Sequence, residues 1–299
     1  MLSPRRLRVM PLHIMLAPAL LLILIYSYGP IAGIYLAFEK FMPSKGLFGS
    51  PFVGWDNFKY VLDLPDTKQV LINTVAIAGM KIVLNITAPI FLALLLNEVR
   101  LRLFKRTVQT IVYLPYFLSW VLLGGILVDI LSPSQGIVNQ ALQFVGAKPI
   151  FFLGDPEWFR FTVVITDLWK EIGFNTIVFL AAITSANPSL YEAAVIDGAN
   201  RLQQTLHVTL PSMLPIIVLI ATLSLGNVLN AGFDQIFNIY SPQVYSQGDI
   251  LDTFVYRIGI VDTQYGVATA VGLFKSVISF LFISVSYLLA YRFANYRIF

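Results

Sequence analysis

The 299-residue chain has no cysteine and only two histidines, His13 and His207. Without cysteine there is no disulfide frame, no thiolate zinc site and no cysteine nucleophile. Two histidines exclude a multi-histidine metal site within the chain. No H-E-x-x-H occurs, and neither histidine is placed for a serine hydrolase. Lys275-Ser276 matches the end of a phosphate-binding loop, but Phe274 stands where that loop requires glycine. Charge is scarce too: Asp, Glu, Lys and Arg make up 12% of the chain, against about 25% in soluble domains. The net charge of +4 fits membrane topology better than nucleic-acid affinity. There is no internal repeat and no disordered tail. The chain is expected not to be an enzyme.

What the chain has in abundance is apolar sequence. Hydrophobic residues make up 57%, gathered in six runs at 11–38, 69–96, 108–131, 161–185, 211–236 and 266–293. Each reaches the roughly 20 residues that cross a bilayer. The expected fold is an all-α integral membrane protein, a six-transmembrane-helix bundle forming a single domain over 1–299. The first run follows Arg5, Arg6 and Arg8. It is too long for a secretory signal, and no small-x-small cleavage site follows before Glu39, so it reads as a retained span. Within it, Gly29 and Gly33 allow close helix contact and Pro30 permits a kink. Polar loops at 39–68, 132–160 and 238–265 alternate with the runs, the first carrying Trp55, Phe58 and Tyr60 as interface aromatics.

Orientation follows from lysine and arginine. The N-terminus, 97–107, the loop after the fourth run and the C-terminus (Arg292, Arg297) carry 10 of them; the three longer loops carry 7. The short segments are much the denser in positive charge, and the rule applies best to short loops. Both termini are placed in the cytoplasm.

The loop at 186–210 is a polar island between the fourth and fifth runs. Asn187-Pro188-Ser189 reads as a helix start, with Ser189 as N-cap and Glu192 completing a capping box. Tyr191 to Ile196 favours helix, and Gly198 can end it. Leu202 to Leu210 is a second short amphipathic piece, and Pro211 can open the next helix at its first turn. Two short helices with a glycine corner are expected, held by something outside the membrane.

Glu192-Ala193-Ala194, Gly198 six residues after the glutamate, and Leu210-Pro211 resemble the EAA loop of ABC importer permeases. The resemblance implies a cytoplasmic coupling loop docked in a cleft of an ATPase, with Glu192, Ala193, Ala194, Asp197, Gly198, Ala199 and Pro211 as its coupling residues. Leu202, Thr205 and Leu206 depart from the family pattern. Further stretches resemble the polysaccharide and oligosaccharide branch of these permeases: Ala93 to Glu98, Tyr113 to Trp120, Gly136 to Gln140, Trp169 to Glu171, Gly232 to Phe237, Tyr256 to Gly259 and Ala270 to Ser276. The resemblance implies an ATP-driven, binding-protein-dependent importer in the bacterial inner membrane, with oligo- or polysaccharide such as alginate as cargo. Its expected partners are a second homologous permease, two cytoplasmic ATPase subunits and an extracytoplasmic solute-binding protein, besides the lipid bilayer; nucleic acid is not expected. No cofactor is expected in this chain, ATP and Mg being held by the ATPases. The alternative is a self-sufficient secondary transporter or channel, which would often show inverted repeats and needs no partner loop.

Charges inside spans are expensive and mark function or packing. They are Lys81, Asp129, Asp167, Lys170, Glu171, Asp234 and Lys275. Asp129 and Asp234 lie near span ends and are expected to be hydrated. Asp167, Lys170 and Glu171 are spaced to share a helix face. Two readings are open: a polar lining of a sugar path with Trp169 as a stacking platform, or a structural ion pair in the subunit interface with Lys170 snorkelling outward. Asn175, Asn227 and Asn230 join the candidate path as amide donors and acceptors. Gly226, Asn227, Asn230 and Gly232 lower helix propensity in the fifth run, and irregular backbone is tolerated at membrane depth where it lines a cavity. Small-residue helix packing is the other reading. Glu192 has two roles open, pairing with an arginine of the ATPase or completing the capping box. Asp197 is open to capping the second short helix or to contacting the partner.

Overall fold

The computed structural model describes residues 4–294, with side chains described for 10–288, 291 and 292. Four of the arginines used for orientation, Arg5, Arg6, Arg8 and Arg297, lie outside the described side chains. The described residues are mostly helical. Among the described residues the β pairing is an isolated bridge between Glu39 and Phe52.

Helix α1 (Pro4–Ile23) runs on through a π turn at Leu24–Tyr28 into 3₁₀ geometry over Gly29–Phe38. The change of helix type falls at Pro30, which has no N–H to donate and whose ring crowds the carbonyl four residues back. Helices α2 (Asp56–Asp63), α3 (Pro65–Glu98), α4 (Arg102–Tyr113), α5 (Trp120–Ile130), α6 (Ile137–Phe144) and α7 (Pro156–Thr184) follow. Then come α8 (Pro188–Ile196), α9 (Arg201–Gln204), α10 (Leu210–Gly226), α11 (Phe233–Ile239), α12 (Tyr245–Gly248), α13 (Leu251–Tyr256) and α14 (Tyr265–Ala294).

Four helical stretches are long and apolar enough to cross a membrane: Met10–Phe38, Pro65–Glu98, Arg201–Gly226 and Tyr265–Leu288. A fifth is bent, Arg102–Phe117 meeting Trp120–Ile130 at 109°. The run at 108–131, expected as one helix, is therefore a broken pair. Pro115 sits in a 3₁₀ turn at Leu114–Phe117, Leu118 is extended, and the Ser119 hydroxyl caps α5 by accepting from Leu122 N–H. The run at 211–236 is also not one helix. It ends at Gly226 and resumes only at Phe233. Helix α7 has the length to span, but Asp167, Lys170 and Glu171 interrupt its apolar character.

Two compact units divide the chain, one of residues 1–64 with 255–274, the other of 65–254 with 275–299. In the first, Asn57 Nδ2 donates to the carbonyls of Ala37 and Glu39 and ties α2 to the end of the first long helix. In the second, α3 packs along α7. Their core of Ala93, Phe179, Ala182 and Ile183 is closed by Met213 of α10. Large apolar side chains such as Met15, Leu20, Val83, Phe91 and Phe280 stay exposed on the outside. In lipid such exposure costs nothing, and helix contacts rest on close packing and on polar bonds.

Candidate functional site

Polar side chains from three segments meet in a cavity of about 310 Å³ in the second unit. Helix α3 supplies Lys81 and Asn85, α7 supplies Asp167, Glu171 and Asn175, and the break between α10 and α11 supplies Asn227, Asn230 and Gly232. The break exists because the sequence there disfavours helix. Gly232 has φ of +97°, a left-handed conformation open to glycine, and a β-carbon there would lie 2.8 Å from Lys81 Nζ.

Lys81 organises this site. Its ammonium pairs with Asp167 Oδ1 at 2.9 Å and donates to Ala231 O at 2.8 Å and to Gln235 Oε1. Three donors thus meet three acceptors, which is the full capacity of a lysine. Asp167 Oδ2 accepts from Asn85 Nδ2 at 2.8 Å. Gln235 Nε2 donates to Val163 O at 2.7 Å and to Thr166 Oγ1 at 2.9 Å, tying α11 to α7. A buried pair of this kind is tolerable only when its remaining bonds are filled. Here Lys81 holds the irregular 231–232 backbone in place, so the charge that sequence places inside a span is a strut. Glu171 faces the same cavity and accepts no hydrogen bond from the described residues. Asn175 Nδ2 reaches Asn85 O at 3.4 Å.

The shared face expected of Asp167, Lys170 and Glu171 divides. Asp167 and Glu171 face the cavity, while Lys170 turns away. Its Nζ donates to Tyr116 O at 2.7 Å and Leu118 O at 2.8 Å, over the rings of Tyr116 and Trp120. Neither a Lys170–Glu171 ion pair nor outward snorkelling occurs. The bend between α4 and α5 leaves carbonyls without helical partners, and a buried ammonium satisfies them. Tyr116 also stacks on Phe174 of α7, centroids 4.5 Å apart. Trp169 is exposed and does not line the cavity. Asp129 and Asp234 are exposed, and Lys275 pairs with Asp252.

The loop at 186–210 forms the two short helices α8 and α9, with different caps from those expected. Asn187, not Ser189, caps α8, its side chain accepting from Ser189 N–H. Pro188 takes the first helical position, which leaves Ser189 inside the helix and Glu192 out of any capping box. The capping box lies at α9 instead. Asn200 Oδ1 accepts from Gln203 N–H at 2.9 Å, and Gln203 Oε1 from Asn200 N–H at 2.8 Å. Asp197 is the C-terminal cap residue of α8 and does not cap α9.

Gly198 turns the corner at φ +78°. Its N–H donates to Val195 O at 3.1 Å and that of Ala199 to Ala194 O at 2.9 Å, the two bonds of a Schellman motif. Gln204 Nε2 donates to Ala199 O, and Tyr191 Oη bonds Thr209 Oγ1, so the two arms are braced. Pro211 stands in the first turn of α10, as expected, but no break precedes it. Residues Arg201 to Gly226 form one continuous stretch, and a π turn at Thr205–Thr209 precedes the proline and widens the helix where it enters. Pro211 and Glu192 are exposed, Ala193 is exposed, and Ala194 and Ala199 are half-buried. Val195 (62% exposed), Ile196 (85%) and Leu202 (66%) form an uncovered apolar ridge around the corner. Such a ridge marks a contact surface.

The folded chain is a membrane-embedded helical transport component. It belongs to the family of binding-protein-dependent transport system inner membrane components, matched over residues 85–295. It is a permease component and not an enzyme. It is 37% identical over 284 residues to the polygalacturonan/rhamnogalacturonan transport system permease protein YteP of Bacillus subtilis, covering 95% of this chain and 88% of that one. It is 39% identical over 272 residues to protein LplB of the same organism, covering 91% and 86%. A chain in the crystal structure of a bacterial ABC transporter that imports the acidic polysaccharide alginate superposes with a TM-score of 0.90. That chain is 37% identical, and the match covers 97% of this chain and 98% of it.

Proposed function

We propose that this permease imports an oligo- or polysaccharide, alginate being one candidate, and draws its energy through loop 186–210 from ATPase subunits that hold ATP and Mg. The observation that carries the coupling role is the Gly198 corner, which is braced by two capping motifs and ringed by the bare ridge of Val195, Ile196 and Leu202. A rigid apolar corner is suited to a cleft in a partner. Glu192 stands beside a groove lined by Glu98, Tyr191, Ile196 and Arg201, open to a charged contact from that partner.

The whole chain acts as one permease domain of six spans. The broken pair α4–α5 serves as the third and α7 as the fourth, its charges directed at protein and cavity rather than lipid. Both termini and the loop lie in the cytoplasm. The assembly includes a second homologous permease and an extracytoplasmic solute-binding protein. The polar cavity contributes to the path, with Glu171, Asn175, Asn227 and Asn230 offering hydrogen bonds to sugar hydroxyls.

Two measurements test this. An ATPase should co-purify with the tagged chain; a chain that transports alone would make it a secondary transporter or channel. Single cysteines at Ser44 and Thr107, both exposed, should react with an impermeant thiol reagent applied outside at Ser44→Cys only. Labelling at Thr107→Cys alone would reverse the orientation.

A further inference from the structure

The first unit contains a second cavity, of about 560 Å³, none of whose lining residues lines the polar cavity of the second unit. Glu39, only 1% exposed, is among its lining residues. The Glu39 carboxylate oxygen Oε2 is fully buried and has no hydrogen-bond partner among the described residues. Neighbouring Lys40 is exposed and forms no ion pair with it. A buried carboxylate with no partner is costly and persists where something supplies the missing charge.

The setting is built rather than loose. Asn57 holds the Glu39 carbonyl at 2.9 Å. Phe41 and Tyr265 meet edge to face at 5.7 Å, and Tyr60 adds a third aromatic wall. Thr263 lines the same cavity with φ of +57°, a strained conformation for a β-branched residue. Asp56 adds a second carboxylate, itself paired with Lys59 at 3.8 Å, so Glu39 is the unpaired acid of the lining.

We propose that this cavity is a socket for one cationic side chain, an arginine or lysine, presented by the extracytoplasmic solute-binding protein. The chemistry favours that occupant. A bare metal ion would need several oxygen ligands, and no group of three or more acidic or metal-binding side chains occurs among the described residues. The volume far exceeds an ion, while a buried acid and aromatic rings in the lining suit a guanidinium or ammonium on an apolar stem. The assignment to the binding protein rests on the proposed function, which places residues 39–68 outside the membrane.

The test uses the complete transporter in nanodiscs with its sugar-loaded binding protein. Binding-protein affinity is read from the titration of stimulated ATP hydrolysis, with hydrolysis in its absence as the reference. Glu39→Gln, which keeps the size, should weaken affinity tenfold or more. Tyr60→Ala, at the half-exposed wall, should weaken it less while leaving the acid in place. Arginines and lysines on the binding protein are then changed singly to glutamine. One of them should give the same loss, and that loss should not add to that of Glu39→Gln. Unchanged affinity in Glu39→Gln, or losses that all add, would overturn the socket. So would altered sugar preference at unchanged affinity. If the wild-type complex responds to no binding protein, the importer function itself fails, and this shows before any variant is made.

Discussion

Replacing Gly198 by leucine tests the coupling loop through a single torsion. Gly198 sits at φ +78°, where an L-residue costs about 1–2 kcal/mol. A β-carbon there would meet nothing within 4 Å, so inside this chain the penalty is conformational and not steric. That amount shifts an equilibrium by a factor of about 5–30. The competing states give up the two Schellman bonds from Gly198 and Ala199 and swing Val195 and Ile196 out of register with α9. Membrane insertion should be normal, because the apolar helices lie elsewhere. The assay is ATP hydrolysis by the reconstituted complex with and without loaded binding protein, normalised to permease in the membrane. In Gly198→Leu the stimulated component should fall by up to that factor, and sugar transport with it. Asparagine tolerates left-handed backbone, so Gly198→Asn should keep most of both. Full stimulation in Gly198→Leu would refute the coupling role of the corner. Equal failure of leucine and asparagine would refute the torsional reasoning and point instead to a contact that admits no side chain.

Lys81→Met should leave Asp167 buried and uncompensated, lowering the stability of the complex by about 3–5 kcal/mol. Adding Asp167→Asn should restore part of it, and thermal melting of the purified complex checks both. Lys170→Met and Glu171→Gln should separate. The first strands the carbonyls of Tyr116 and Leu118 at a cost of about 1–3 kcal/mol each, with the substrate range unchanged. The second should leave melting unchanged while raising transport of uronate chains relative to neutral ones, since it removes a like charge from the cavity. Competition transport with one neutral and one acidic oligosaccharide reads the difference, and an unchanged ratio would take Glu171 out of the path.

What the sequence determines here is local. Apolar runs mark where helices lie because the membrane demands that every backbone group be bonded within its own segment. Gly198 is legible as a corner because a Schellman turn needs only six consecutive residues. The weak helix at 226–232 is legible from its own glycines and asparagines. Where two local signals compete, sequence misleads. Ser189 and Asn187 are both good caps, and Pro188 decides for Asn187 by taking the first helical position. A proline at 211 marks a helix start and does stand in the first turn of α10, but only the fold shows that a π turn joins that turn to α9 without a break.

Charge pairing belongs to the tertiary structure. Spacing along α7 suggests that Asp167, Lys170 and Glu171 act together, but helix periodicity fixes only a side chain's direction, not its partner. Lys81 finds its carbonyl 150 residues away at Ala231, and Lys170 finds its own at a bend 52 and 54 residues back. Those acceptors exist only because the fold breaks two helices and leaves their carbonyls bare beside α3 and α7. The unpaired acid at Glu39 is likewise invisible in sequence, where it is one polar residue in a polar loop. Burial alone turns it into a demand for a cation.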